Sequence, residues 1–121
     1  MHELSIVEAL IEQVQRELDR AGQTGGCVRE LHLSIGRLSG VNVESIRFAF
    51  ELLAPGSIVD GAELKVVEPA AECVCRQCDA RTEIEGLVTQ CPACGSDEVQ
   101  ITGGRDLTLD SIEVETAEHL P

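Results

Sequence analysis

Four cysteines, Cys75-x2-Cys78, then twelve residues, then Cys91-x2-Cys94, constrain this chain more than anything else in it. In each Cys-x2-Cys turn the backbone amides wrap the sulfurs and bring two thiolates within ~4 Å. Two such turns close a tetrahedral S4 site with Zn–S bonds near ~2.3 Å. Gly95, directly after Cys94, suits a tight turn that can need positive φ. Four protein ligands leave no open coordination position, so the zinc site is expected to be structural rather than catalytic. Between the knuckles the only large apolar residues are Ile84, Leu87 and Val88. Metal binding is therefore expected to contribute folding free energy, ~10–16 kcal/mol in zinc-finger peptides. An iron–sulfur cluster suits the four cysteines less well. Thioredoxin-like redox chemistry suits them least, because neither Cys-x2-Cys opens a helix after a parallel strand.

The other two cysteines fall outside this pattern. Cys73 is too early for the first knuckle and reads as an ordinary thiol beside it; Cys27 reads as a half-buried small residue in the loop before a strand. The chain has 121 residues, enough for one ordinary domain with a small appendage. It has no Trp or Tyr and only Phe48 and Phe50, so its core must be aliphatic. The net charge of -13, with nine Lys+Arg along the chain, opposes nucleic-acid binding and favours cations and basic partner surfaces. The N-terminus, with Glu3, Glu8 and Glu12, is unlike a signal peptide. No stretch approaches the ~18–20 apolar residues of a membrane span. A cytoplasmic location is expected, where cysteines serve as ligands or free thiols rather than disulfides.

Hydrophobic periodicity places the rest. Ser5-Ile-Val-Glu8 has the form of a capping box, and Val7, Leu10, Ile11, Val14 and Leu18 recur at helical spacing. This predicts a first helix entered at Ser5 and ended by Gly22, with residues 1–3 ahead of it. Residues 28–36 alternate, Leu31, Leu33 and Ile35 on one face and Glu30, His32 and Ser34 on the other, as in a half-buried strand. His32 reads as an exposed or hydrogen-bonded side chain. Asn42 is placed to cap a second helix running to about Ala54, with Val43, Ile46, Ala49, Phe50 and Leu53 buried and Pro55-Gly56 as its stop. A second strand is expected at 62–69 with Leu64 and Val66 on one face. A last one runs through Leu107, Leu109, Ile112 and Val114 and slips a step at Asp110-Ser111. The order is α-β-α-β-(insert)-β. The expected fold class is α+β: two helices with a three-stranded mixed sheet, plus an inserted zinc-ribbon-like domain.

The first three residues, Met-His-Glu, carry a second ligand set. The Met1 amine and the His2 amide close a five-membered chelate ring; the His2 amide and its own Nδ1 close a six-membered one. The Glu3 amide, or its carboxylate from the side, can join. Amides bind only when deprotonated, which Ni(II) and Cu(II) drive at neutral pH and zinc does not readily do. The product is a square-planar nitrogen set. Methionine removal needs a small second residue, so Met1 is expected to stay. A solvated, functionless end remains the alternative reading of these residues.

MHELSIVEAL at the start, IGRLSGVNVESIRFAFELL and the CxCxxC…CPxCG module together resemble the HypA/HybF family of hydrogenase-maturation nickel metallochaperones. The similarity covers nearly the whole chain. The resemblance implies that His2, with the Met1 amine and the backbone at Glu3, binds Ni(II), and that Cys75, Cys78, Cys91 and Cys94 bind Zn(II). It implies a nickel-binding α/β domain of residues 1–70 and 105–121 and a zinc-binding domain of residues 71–104. It also implies delivery of nickel to the [NiFe]-hydrogenase large subunit, or to a urease maturation complex, with a HypB-type GTPase as partner. It leaves room for a homodimer. Cys27 and His119 match no part of the family pattern. The chain has no Walker pattern and no nucleophile–base pair, so a carrier rather than an enzyme is expected. The main rival is a zinc-stabilised protein-interaction adaptor without nickel transfer. A zinc-ribbon nucleic-acid binder and a redox protein using Cys73 and Cys75 are further rivals.

Overall fold

The computed structural model describes residues 2–23 and 26–115. The chain forms two compact units. One takes the chain up to Leu33, Asn42–Val66 and the chain from Leu109; the other takes Ser34–Val41 and Val67–Thr108.

In the first unit, helix α1 spans His2–Arg20. Val7, Leu10, Val14 and Leu18 form its buried stripe, each at most 4% exposed. It ends as expected: Gly22 has φ 73°, and the Gly22 and Gln23 amides donate to the carbonyls of Asp19 and Leu18 at 3.2 and 2.9 Å. Its start differs from the sequence reading. The helix begins at His2, and Ser5 lies exposed within it rather than at a cap. Two local terms outweigh the capping signature. Glu3 places an acid in the first turn, where the helix dipole favours it. Leu4, half-buried one turn before Val7, extends the apolar stripe and lines a groove with Phe48, Ala49 and Leu52.

Helix α2 spans Val43–Leu53 and is capped as the sequence predicts. Asn42 is extended, with φ -87° and ψ 119°, and its Oδ1 accepts from the Ser45 amide at 2.9 Å. Ile46, Ala49 and Phe50 are buried. Strands β1 (Cys27–Ile35), β2 (Glu63–Val67) and β6 (Leu107–Glu115) form a three-stranded sheet in the order β2-β1-β6. Leu31, Leu33 and Ile35 are buried on β1 as expected, although burial changes step between Val28 and Leu31. The slip on β6 is present: Asp110 and Ser111 are consecutive exposed residues between half-buried Leu109 and Ile112. Arg47 Nη1 donates to the Leu64 carbonyl at 3.0 Å and ties α2 to β2. The unit's core is aliphatic apart from Phe50, and no polar or charged residue is buried among the described residues. Cys27 is exposed as the first residue of β1, not half-buried in a loop, because the strand starts there with its side chain on the outer face.

The second unit holds three strands that the sequence reading did not place: β3 (Ala71–Cys75), β4 (Arg81–Ile84) and β5 (Val99–Thr102), antiparallel in the order β4-β3-β5. Cys73 stands opposite Thr82 on one side and Ile101 on the other. A small core forms around Ala71, Cys73 and Ile84, flanked by Leu38, Val88, Val99 and Ile101. Leu87 is 73% exposed and takes no part. The 34–41 segment is held into this unit by main chain: the Gly36, Arg37 and Leu38 amides donate to the carbonyls of Asp106, Pro69 and Gly104 at 2.9, 3.0 and 2.7 Å. Only a glycine allows this approach, since a Cβ on Gly36 would lie 2.2 Å from the Gly104 carbonyl group. No described helix is long and apolar enough to cross a membrane.

Candidate metal centre

Cys75 is the last residue of β3, so the first knuckle hangs directly from the sheet. The Cys75 amide donates to the Ala80 carbonyl at 3.0 Å and closes the turn. Inside it, the Gln77 and Cys78 amides donate to Cys75 Sγ at 3.3 and 3.4 Å. The second knuckle repeats this. The Cys91 amide donates to the Ser96 carbonyl at 2.7 Å, and the Ala93 and Cys94 amides donate to Cys91 Sγ at 3.3 and 3.4 Å. Each turn exits through a left-handed residue just after its second cysteine: Asp79 at φ 61° and Gly95 at φ 79°. The expected positive φ at Gly95 is present, and its counterpart is an aspartate.

The four sulfurs converge. Cys75 and Cys94 Sγ lie 3.6 Å apart, Cys78 and Cys91 Sγ 3.7 Å apart, and all four fall within 4.8 Å of one another. A tetrahedral ion with ~2.3 Å bonds to sulfur sets sulfur–sulfur edges of about 3.8 Å. Donor type, count and spacing therefore fit a closed S4 site. Cys75 and Cys91 are buried; Cys78 and Cys94 are exposed. The electrostatics follow. The Cys94 and Ala93 amides hold the Cys91 thiol down at about 6, against the opposing effect of burial. The Ala80 amide favours the Cys78 thiolate, but partial loss of water around the sulfur and the three neighbouring sulfurs outweigh it and push that thiol up to about 12. The Cys94 thiol is also raised: its bond from the Ser96 amide is outweighed by partial loss of water around the sulfur and by the Cys75 and Cys91 sulfurs. One thiolate forms readily and its neighbours then resist charging, a conflict that a bound cation resolves.

Cys73 lies outside the cluster. It is 1% exposed, packed in the small core, and its thiol is raised mainly by burial. Met1, the His2 side chain and His119 lie outside what is described. Glu3 is half-buried in the first turn of α1, on the rim of a groove formed with Leu4, Glu44, Phe48, Ala49 and Leu52. Phe48 and Leu52 are 63% and 56% exposed there. The start of α1 at His2 leaves no free-standing residues 2–3 ahead of the helix. Their amides nevertheless fall among the first four of a helix, which have no intrahelical acceptor.

A second group of ligand-type side chains escaped sequence reasoning as a group. His32 Nε2 lies 3.0 Å from Glu30 Oε1 and 2.7 Å from Glu113 Oε2. The alternation on β1 put Glu30 and His32 on one face; the pairing with distant β6 that adds Glu113 has no local signal.

The family profile described as hydrogenase/urease nickel incorporation, metallochaperone, hypA matches residues 1–114. The hydrogenase maturation factor HypA of Azotobacter vinelandii is 38% identical over 115 residues, covering 95% of this chain and 100% of the relative. That of Prosthecochloris aestuarii is 36% identical with the same coverage. The solution structure of the Ni metallochaperone HypA from Helicobacter pylori is similar with a TM-score of 0.65 at 26% identity, covering 94% of this chain and 97% of that one.

Proposed function

We infer the function of this chain from its kinship: it belongs to the HypA family of nickel-incorporation metallochaperones that act in hydrogenase maturation. In our reading it holds Ni(II) as cargo at its N-terminus, through the His2 imidazole and amide, the Met1 amine and the backbone at Glu3. It passes this nickel to the large subunit of a [NiFe]-hydrogenase, with a urease maturation complex as the other client and a HypB-type GTPase as partner. The protein is a carrier, not an enzyme. The observation that carries the reading is the match over residues 1–114, which takes in both the Met-His-Glu start and the two knuckles.

In the same reading Cys75, Cys78, Cys91 and Cys94 hold Zn(II), which supplies a structural cross-link and no chemistry. The S4 spacing of 3.6–3.7 Å supports this. The zinc-binding domain is then residues 71–104 and the nickel-binding domain the remainder. Thiolate ligands suit a reducing compartment, which favours the cytoplasm. The groove beside Glu3, with exposed Phe48 and Leu52, offers a protein contact next to the nickel ligands. The same groove favours the second reading, a zinc-stabilised adaptor that transfers no nickel.

Nickel titration of the untagged protein and of His2→Ala, followed by native mass and visible absorbance with zinc assayed in both, separates the two. We expect one nickel per chain with a square-planar absorption band, lost in His2→Ala with zinc unchanged. The nickel affinity should also fall steeply on acidification, because amine, imidazole and amides all take up protons. Equal nickel binding by both proteins, or an affinity flat from neutral to mildly acidic pH, overturns the carrier reading and leaves the adaptor.

A further inference from the structure

Among the described residues one group of ligand-type side chains has no part in the reading above: Glu30, His32 and Glu113. Glu30 and His32 stand two residues apart on β1, the central strand, and Glu113 reaches them from β6. The scaffold is a hydrogen-bonded sheet, so the three Cα positions are fixed before any ligand arrives. The side chains are 27%, 36% and 57% exposed, open enough to admit an ion and its waters.

The geometry is that of ligands already gathered. His32 Nε2 sits 3.0 Å from Glu30 Oε1 and 2.7 Å from Glu113 Oε2, and the three ligand atoms lie within 4.8 Å of one another. Bonds of ~2.1 Å place the cis ligands of an octahedral ion about 3.0 Å apart. The two carboxylates reach the imidazole from different strands, Glu30 from β1 and Glu113 from β6. One imidazole stands against two carboxylates, so the three side chains together offer one nitrogen and two oxygen donors. Two cations stand near the cluster: Lys65 on β2, paired with Glu63 at 3.0 Å, also feels Glu30 and Glu113, and Arg29, paired with Glu115 at 4.0 Å, feels Glu113; both charges oppose a bound cation.

We propose that Glu30, His32 and Glu113 form a second, exchangeable site for a six-coordinate divalent first-row cation, with one face of three protein ligands and the other of water. It differs in kind from both sites of the proposed function. One imidazole and two carboxylates suit hard and borderline ions with water ligands; the S4 cluster selects soft-sphere tetrahedral ions; the terminal amides select ions that deprotonate them. Mn(II) is therefore a selective probe: it is not expected to deprotonate amides and competes poorly for thiolates.

The test uses the full untagged chain loaded with zinc. Binding of Mn(II) is counted by loss of the free-ion EPR signal and located by paramagnetic broadening of amide resonances. We expect one Mn(II) per chain, with broadening centred on residues 30–32 and 113. His32→Gln and Glu113→Gln should each weaken it by at least about tenfold. Lys65→Met, which removes a neighbouring positive charge, should tighten it. His2→Ala should leave it unchanged, so the result stands whether or not the terminus carries nickel. Amide spectra and zinc content verify that each variant is folded. Mn(II) affinity unchanged in folded His32→Gln, or broadening spread over the acidic residues of α1 instead, overturns the proposal.

Discussion

Replacing Cys91 by serine measures how far the second unit depends on its metal. Cys91 is 4% exposed, its Sγ accepts two amides at 3.3 and 3.4 Å, and it lies 3.7 Å from Cys78 Sγ. A serine hydroxyl does not ionise near neutral pH and is a poor replacement for a thiolate. Structural zinc binding of ~10–16 kcal/mol shared over four thiolates gives about 2.5–4 kcal/mol per ligand. That is roughly two to three orders of magnitude in affinity. The local core cannot compensate. Only Ala71, Cys73 and Ile84 are buried in it, and one Ile contributes ~1.5–3 kcal/mol. Zinc affinity, read by competition with a chelator of known strength, should fall accordingly. Amide exchange should show β3, β4 and β5 losing protection. The first unit has its own core, Val7, Leu10, Val14, Leu31, Leu33, Ile46 and Phe50, and its amides should stay protected. Zinc affinity within about tenfold of wild type would refute the ligand assignment. Loss of protection in both units together would refute their independence.

The two knuckle exits allow a paired comparison. A left-handed conformation costs a residue with a Cβ roughly 1–2 kcal/mol, and a Cβ at Gly95 would meet nothing within 4 Å, so the cost there is purely backbone. Gly95→Ala should destabilise the zinc-loaded protein by about 1 kcal/mol, while Asp79→Gly should be close to neutral; denaturant unfolding that ranks them the other way rejects the argument. The His32 pair gives a pH prediction. The hydrogen bond that the His32 ring donates to Glu113 raises the His32 value above its ordinary 6.5, and His32 lowers Glu113 below its ordinary 4.5. The His32 contribution is thus full below 6.5 and lost as pH rises through its raised value. The Glu113 contribution is full above 4.5 and lost as pH falls through its lowered value. Ring resonances should show His32 titrating above 6.5, and Glu113→Gln should bring it down; no movement in that variant would separate the two residues.

What could be read in the sequence follows the range of each interaction. Asn42, the α2 stripe, the Gly22 stop and the slip at Asp110-Ser111 are set by neighbours a few residues away, and all appear in the structure, the stripe with Ile46, Ala49 and Phe50 buried but Val43 and Leu53 at the helix ends only half-buried. The four-cysteine cluster was legible despite the twelve-residue gap, because metal-ligand spacing is itself a local signature in two halves. Strands β3, β4 and β5 were not legible. Their runs are short and weakly apolar, and they pair in a register that no local pattern encodes. The start of α1 was misread because Ser5-x-x-Glu8 is a cap only where the chain enters the helix. Leu4, packed toward α2, carries the helix one turn further back.

That extra turn changes how the proposed cargo site works. With α1 beginning at His2, the amides of His2 and Glu3 belong to a helix N-terminus. There the N–H groups lack intrahelical acceptors and together carry about half a positive charge. A helix end of that sign repels a divalent cation while its amides keep their protons. Once an amide is deprotonated, the same position becomes an anionic nitrogen donor, and the unsatisfied N–H no longer needs a partner. Nickel at the proposed site would hold the terminus only in exchange for protons that the helix otherwise carries. When those protons return, the ligand is lost and the repelling dipole is restored in the same step. A free-standing terminal peptide would lose the ligand alone. A cation held in the proposed way would be repelled on protonation as well as released, which suits a carrier better than a storage site.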